Sequence, residues 1–152
     1  MRIANAIYSV MQLDKFSDYA LRILVALAAH APSKLATSQI AKMYDVSENH
    51  LAKIATALAK AGYVVSERGR GGGLTLAKPA CDISIGHVLR ALKKDEPVAE
   101  CFASGGSCAI LPACGLRTPL QEAQEAFFAV LDGYSLADVS SARGALQDLL
   151  RL

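Results

Sequence analysis

The chain has 152 residues, a formal net charge of +2, four cysteines and an apolar share of 53% against 20% charged residues. That suits one well-formed core, or a small domain with an appended element, and leaves apolar surface for burial in a dimer. It argues against a membrane span, because no run of about 18 apolar residues occurs, and it reads the cysteines as metal or redox chemistry rather than a disulfide framework. The charge is too mild to prove a nucleic-acid partner, so any basic patch must be local.

Residues 1–10 read as an N-terminal extension, too short for a secretory signal and soon followed by Asp14 and Lys15, with Met11 a natural alternative start. Ser17 and Asp18 precede a helical pattern carrying Leu21, Ile23, Leu24, Leu27 and Ala28, which ends near Pro32. A second short helix is predicted from Thr37. Asp45, Val46 and Ser47 then form a tight turn, with Ser47 placed to cap a helix from Glu48 to about Ala61. That third helix has Leu51, Ile54, Ala55 and Leu58 on one face and stops at Gly62. Two short helices joined by a tight turn make a helix-turn-helix pattern.

Two β-rich stretches, Tyr63 to Arg68 and Leu74 to Leu76, flank the basic, glycine-rich tip Gly69-Arg70-Gly71-Gly72-Gly73. This is a wing projecting an arginine. Ile85 to Lys93 follows as a short amphipathic helix, then a break at Pro97 and the cysteine loop. From Pro119, the residues Leu120, Ala123, Phe127, Val130, Leu131 and Tyr134 recur at helical spacing. Few elements remain to cover that face, so a partner's copy of the helix is the simplest cover, in a two-fold dimer. The tail after Asp138 is weakly patterned, a short terminal helix or frayed.

The expected fold is therefore mainly α with a small β-hairpin wing: a winged helix-turn-helix plus a long dimerisation helix. Its divisions are the extension 1–10, a DNA-binding domain 11–80, a connecting helix and cysteine loop 81–118, and a dimerisation helix with tail 119–152. Ser47, Glu48, Asn49, His50 and Lys53 occupy the end of the third helix that such proteins present to base edges. Asn49 could read adenine, while Ser47 and Lys53 could fix phosphates or guanine. Arg68 and Arg70 on the wing could enter a narrow minor groove. Each recognition-helix residue could equally be a solvated side chain, whereas the wing is the sharper signal and an ordinary solvated hairpin its alternative.

Cys101, Cys108 and Cys114 have six and then five residues between them. Zinc sites favour closer pairs, and ferredoxin spacing differs too. Gly105, Gly106, Pro112 and Gly115 make a loop able to wrap a larger object, with Ala109, Ile110 and Leu111 as an apolar wall. Three thiolates leave a fourth position to another ligand. Free thiols or a thiol–disulfide switch stay open as alternatives. Cys81 lies apart and reads as a semi-buried residue, and nothing places His50 or His87 near the loop. Asp18 reads either as a carboxylate favoured at a helix N-terminus or as a ligand reaching across a dimer. No paired carboxylates or nucleophile–base constellation is visible, and the wing lacks the Lys-Ser/Thr of a nucleotide loop, so no enzyme is expected.

The segments Met11 to Arg22, Val46 to Ile54, the wing Glu67 to Pro79, the cysteine loop and Ala126 to Asp138 together resemble the winged-helix iron–sulfur transcription regulators, the family that includes NsrR, IscR and RirA types. The resemblance spans about residues 11 to 139. It implies a cytoplasmic homodimer on double-stranded operator DNA, away from any membrane, with an iron–sulfur cluster, [4Fe–4S] or alternatively [2Fe–2S], on Cys101, Cys108 and Cys114. IscR types add a histidine three residues after the last cysteine, where this chain has Arg117. Ile110 to Cys114 and Leu131 to Asp138 look most like the NsrR type, a nitric-oxide-sensing repressor in which a carboxylate from the other subunit can be the fourth ligand. Asp18 matches that position. Ala99 to Phe102 with Phe127 and Phe128 also resembles the iron-responsive RirA type, the runner-up, and a cofactor-free regulator controlled by a protein partner is the third reading.

Overall fold

A computed structural model describes residues 13–93 and 96–151. The extension 1–10 and Met11 lie outside the described residues. Helix α1 runs Lys15–His30, and its N-cap is Asp14, whose side chain accepts a hydrogen bond from the Ser17 amide at 2.9 Å. Capping thus starts one turn earlier than Ser17 and Asp18 suggested, and places both inside the first turns. Ile23, Leu24 and Leu27 turn inward. Helix α2, Thr37–Tyr44, ends at Asp45 in the left-handed region (φ 52°), and α3, Glu48–Lys60, opens on the Ser47 cap. Leu51, Ile54, Ala55 and Leu58 are all buried, as their spacing requires.

Strands β1, Val64–Glu67, and β2, Gly73–Leu76, pair antiparallel from Val64 with Leu76 to Glu67 with Gly73. Leu35, before α2, adds a further antiparallel bridge on the other edge of β2 through two backbone hydrogen bonds with Leu74, of 3.1 and 2.8 Å. Lys34 beside it pairs with Glu67. The wing is therefore braced from both sides of β2 near its base.

Helix α4, Ile85–Lys93, leads into the cysteine loop, which contains two short 3₁₀ turns, Glu100–Phe102 and Leu111–Ala113. Helix α5 runs Arg117–Asp132. It begins before Pro119 because a proline in the first turn lacks only an N–H that would have no helical partner there. α4 and α5 form a hairpin closed by hydrogen bonds from Ile85 N to the Tyr134 carbonyl (2.9 Å) and from Leu136 N to the Ile83 carbonyl (2.7 Å). At Gly86 a side chain could not fit: a Cβ would lie 2.1 Å from an Asp132 carboxylate oxygen. Arg90 locks the hairpin, bonding Glu125 through both terminal nitrogens at 2.9 and 2.6 Å and Asp132 at 2.9 Å, over the Phe128 ring.

The chain closes with α6, Leu136–Val139, and α7, Arg143–Leu149. The tail is anchored rather than frayed: Arg143 Nε and Gln147 Nε2 donate to the Ala29 carbonyl at the end of α1 (2.9 and 2.7 Å). Those donors satisfy carbonyls that a helix end leaves open. One core joins α1, α2, α3 and the wing to Ile83, Val88, Leu136 and Leu150. Among the described residues no helix is long and apolar enough to cross a membrane.

Candidate nucleic-acid interface and cysteine loop

The turn between α2 and α3 sets the first surface. Ser47 spends its hydroxyl oxygen as acceptor for the His50 amide at 3.1 Å, fixing the first turn of α3. Glu48, Asn49 and Lys53 stand exposed there. His50 is half-buried, its ring edge-on to Tyr19 of α1 with centroids 5.8 Å apart. On the wing, Arg68 and Arg70 are exposed, and Gly69 and Gly71 carry positive φ (95° and 77°), the backbone a tight tip needs. The Lys34–Glu67 pair occupies the neighbouring carboxylate, so neither wing arginine meets an acid among the described residues. This arrangement can offer one set of donors to base edges and a second, purely cationic set to phosphates or a narrow groove.

Asp18 lies on the same side of α1 as this turn. Its carboxylate accepts from Arg22 Nε (3.1 Å) and Nη2 (2.9 Å), an i, i+4 pair. The guanidinium also lies over the Tyr19 and Tyr44 rings (5.2 and 5.7 Å), and the Tyr44 hydroxyl donates to the Arg22 carbonyl at 3.0 Å. Asp18 raises the pKa of Arg22 and keeps it charged. Through Arg22 and Tyr19, then, Asp18 is three contacts from His50 on α3. Reading the i, i+4 charge spacing would have found the Arg22 partner.

Cys101, Cys108 and Cys114 are half-buried free thiols in the loop before α5, and Cys81 is a free, exposed thiol far from it in sequence, 3.7 Å from the Asp82 carboxylate. Among the described residues no three His, Cys, Asp or Glu side chains converge on a metal-sized space within one chain. The donor set itself suits a soft iron or iron–sulfur centre: three unpaired thiols, with no competing disulfide. Arg117 does not face the site as a ligand could. Its guanidinium covers the Phe102 ring at 5.3 Å.

Between α4, the loop and α5 lies a cleft of about 800 Å³, walled by Lys93, Phe102, Gln121, Gln124 and Phe128. Lys93 at its edge holds Glu96 and, 2.7 Å away, the otherwise unpartnered Oδ2 of Asp14. Burial alone would raise the Asp14 pKa, but the bonds from Lys93 and Ser17 bring it down to about 2. Arg90 lowers the pKa values of Glu125 and Asp132 in the same way. The sequence reading missed Asp14, Lys93 and Arg90, because their partners are distant in the chain.

On α5, Phe127 and Val130 are exposed, as are Leu116 and Tyr134 just outside its two ends, although Phe128 is buried. Together with Leu120 and Ala123 they recur at alternating steps of four and three, the spacing of a helix-pairing seam.

Residues 13–142 match the model of the Rrf2 family, described as an iron-dependent transcriptional regulator. The chain is 43% identical over 144 residues to the HTH-type transcriptional regulator NsrR of Bacillus subtilis, covering 93% of this chain and 99% of that one. It is 44% identical over 143 residues to the NsrR of Geobacillus kaustophilus, covering 93% and 97%. Among solved structures, the global cysteine regulator CymR of B. subtilis superposes with a TM-score of 0.67 at 27% identity, covering 88% of this chain and 98% of that one. The IscR of T. potens, 24% identical, shares the fold at a TM-score of 0.67, covering 89% and 90%.

Proposed function

Since the chain belongs to the Rrf2 family of transcription regulators, and is no enzyme, we propose that it is a homodimeric cytoplasmic repressor that holds an iron–sulfur cluster and senses nitric oxide. The observation that carries this reading is the placing of three unpaired thiols in one loop between the winged-helix body and the exposed α5 seam. Relatives at about 43% identity bearing the NsrR name support the choice of signal. Cys101, Cys108 and Cys114 would hold the cluster, of [4Fe–4S] type in preference to [2Fe–2S], with Asp18 of the partner subunit as fourth ligand. Those residues would hold the cluster, whose chemistry there would be iron sites open to nitric oxide.

The chain's own residues do the rest. The α5 seam of two copies closes the dimer and sets the distance between two recognition helices. Asn49, Lys53 and Ser47 face the major groove with His50 behind them, and Arg68 and Arg70 enter the neighbouring groove. Both Asp18 oxygens face Arg22 in the single chain, so engaging a ligand site in the partner would shift that pair and with it the Arg22–Tyr19–His50 contacts beside α3. That is a two-state coupling between sensor and reader. Anaerobic absorption spectra test the ligand set: Cys101→Ser, Cys108→Ser and Cys114→Ser each lose the visible chromophore, while Cys81→Ser keeps it. Asp18→Ala should change operator affinity and the nitric-oxide response; no change in either would sink the coupling.

An iron-responsive reading keeps its place because the family model is described as iron-dependent. It predicts release of DNA on chelation alone.

A further inference from the structure

The loop that bears the thiols is folded back on its own first segment at two points. Gly105 turns with φ +84°, and Gly106 comes so close that a Cβ there would lie 2.4 Å from the Glu100 carbonyl oxygen. The Gly106 amide donates to the Ala103 carbonyl at 3.1 Å and seals the turn. This returns the chain, two residues before Cys108, to the residue that precedes Cys101. At the other end Arg117, three residues after Cys114, lays its guanidinium on Phe102, the residue after Cys101. Phe102 and Phe128 of α5 both line the cleft between the loop and the α4–α5 hairpin.

We infer that Phe102 and Arg117 form a clasp, and Gly106 a hinge, which hold the segments of Cys108 and Cys114 against that of Cys101 before any metal arrives. Both contacts return the chain to the segment that carries Cys101, while the three thiols themselves do not yet converge. Arg117 and Phe102 are positioning residues: neither donates to the metal, and each acts by reducing the loop conformations that ligand binding must otherwise eliminate. The inference deepens the cluster reading and rests on it for its purpose, although the clasp itself is a property of the iron-free chain. A guanidinium on an accessible aromatic face is a modest interaction, so its loss should cost thiol pairing about two- to five-fold.

The test uses the full-length, reduced, iron-free chain and phenylarsine oxide, which bridges two thiols with release of water. In a Cys81→Ser/Cys108→Ser background the probe reads the Cys101–Cys114 pair alone. Arg117→Gln and Phe102→Leu should each raise the half-saturating concentration about two- to five-fold, while Phe102→Trp, which keeps an aromatic face, should match the parent. In a Cys81→Ser/Cys114→Ser background, Gly106→Ala should weaken the Cys101–Cys108 pair. Unchanged binding in Arg117→Gln and Phe102→Leu, or an equal loss in Phe102→Trp and Phe102→Leu, would overturn the clasp. Unchanged binding in Gly106→Ala would overturn the hinge. Because no iron is present, these results stand apart from the proposed function. A parent chain that never takes up a cluster, yet shows this order of variants, would remove the cluster reading and keep the clasp.

Discussion

From α1 to α4 every helix turns an apolar face into one core, with Ile23, Leu24, Ile40, Ile54, Leu58 and Val88 fully buried. Helix α5, as long as α1 at 16 residues, buries only Phe128 and leaves Val130 65% exposed. The loop before it is held by short 3₁₀ turns, hydrogen bonds and one cation–aromatic contact rather than by a core. The winged-helix half is thus packed within one chain, whereas α5 and the cysteine loop leave apolar side chains uncovered among the described residues. Low local packing is what lets an element respond to a ligand without unfolding its neighbour.

The sharpest way to break that comparison is to delete matched volume on both sides. Ile54→Ala in the core of α3 should cost about 2–5 kcal/mol of stability in denaturant unfolding. Val130→Ala on the α5 seam should cost the isolated fold under about 0.5 kcal/mol but loosen self-association, visible by sedimentation as the protein is diluted. Equal losses of fold stability at both positions would show that α5 already has its cover within one chain.

Next in size is the wing. Arg68→Ala or Arg70→Ala should weaken operator binding by about 1–3 kcal/mol, read by fluorescence anisotropy, with the thiol loop and the visible spectrum untouched. If both variants bind as the parent does, the wing takes no part in recognition.

The smallest expected effect lies where the two halves meet, at Asp14 and Lys93. With its pKa lowered from 3.8 to about 2, Asp14 stabilises the fold fully above pH 3.8 and loses that contribution as pH falls toward 2. Asp14→Asn keeps a capping oxygen but loses the ion pair. After discounting for a carboxylate more than one-third open to solvent, it should cost about 1 kcal/mol at neutral pH and flatten acid unfolding in that window. A pH profile identical to the parent's would show that Lys93 does not tie α4 to α1.

The winged-helix half was also the legible half. The periodicity of Leu51, Ile54, Ala55 and Leu58, the Ser47 cap and the glycine-rich tip are local signals, and the structure places each where the sequence put it. The start of α1 was missed by a few residues because Asp14, not Ser17, is the cap. The anchoring of α7 was missed because Arg143 and Gln147 act on a carbonyl more than a hundred residues away. In the cysteine loop and α5, the sequence marks the thiols but not the contacts around them. Arg117 on Phe102 and Lys93 on Asp14 are tertiary pairings without a periodic signature.

The central claim is that the thiol loop governs DNA binding through a nitric-oxide-labile cluster. It is tested most directly by titrating the strictly anaerobic protein with nitric oxide while recording visible absorption and operator binding in the same sample, beside a parallel chelator titration. The account predicts a coloured protein whose chromophore and DNA affinity fall together with added nitric oxide, well before the chelator has an effect. A colourless anaerobic protein that binds its operator with unchanged affinity throughout both titrations would contradict it.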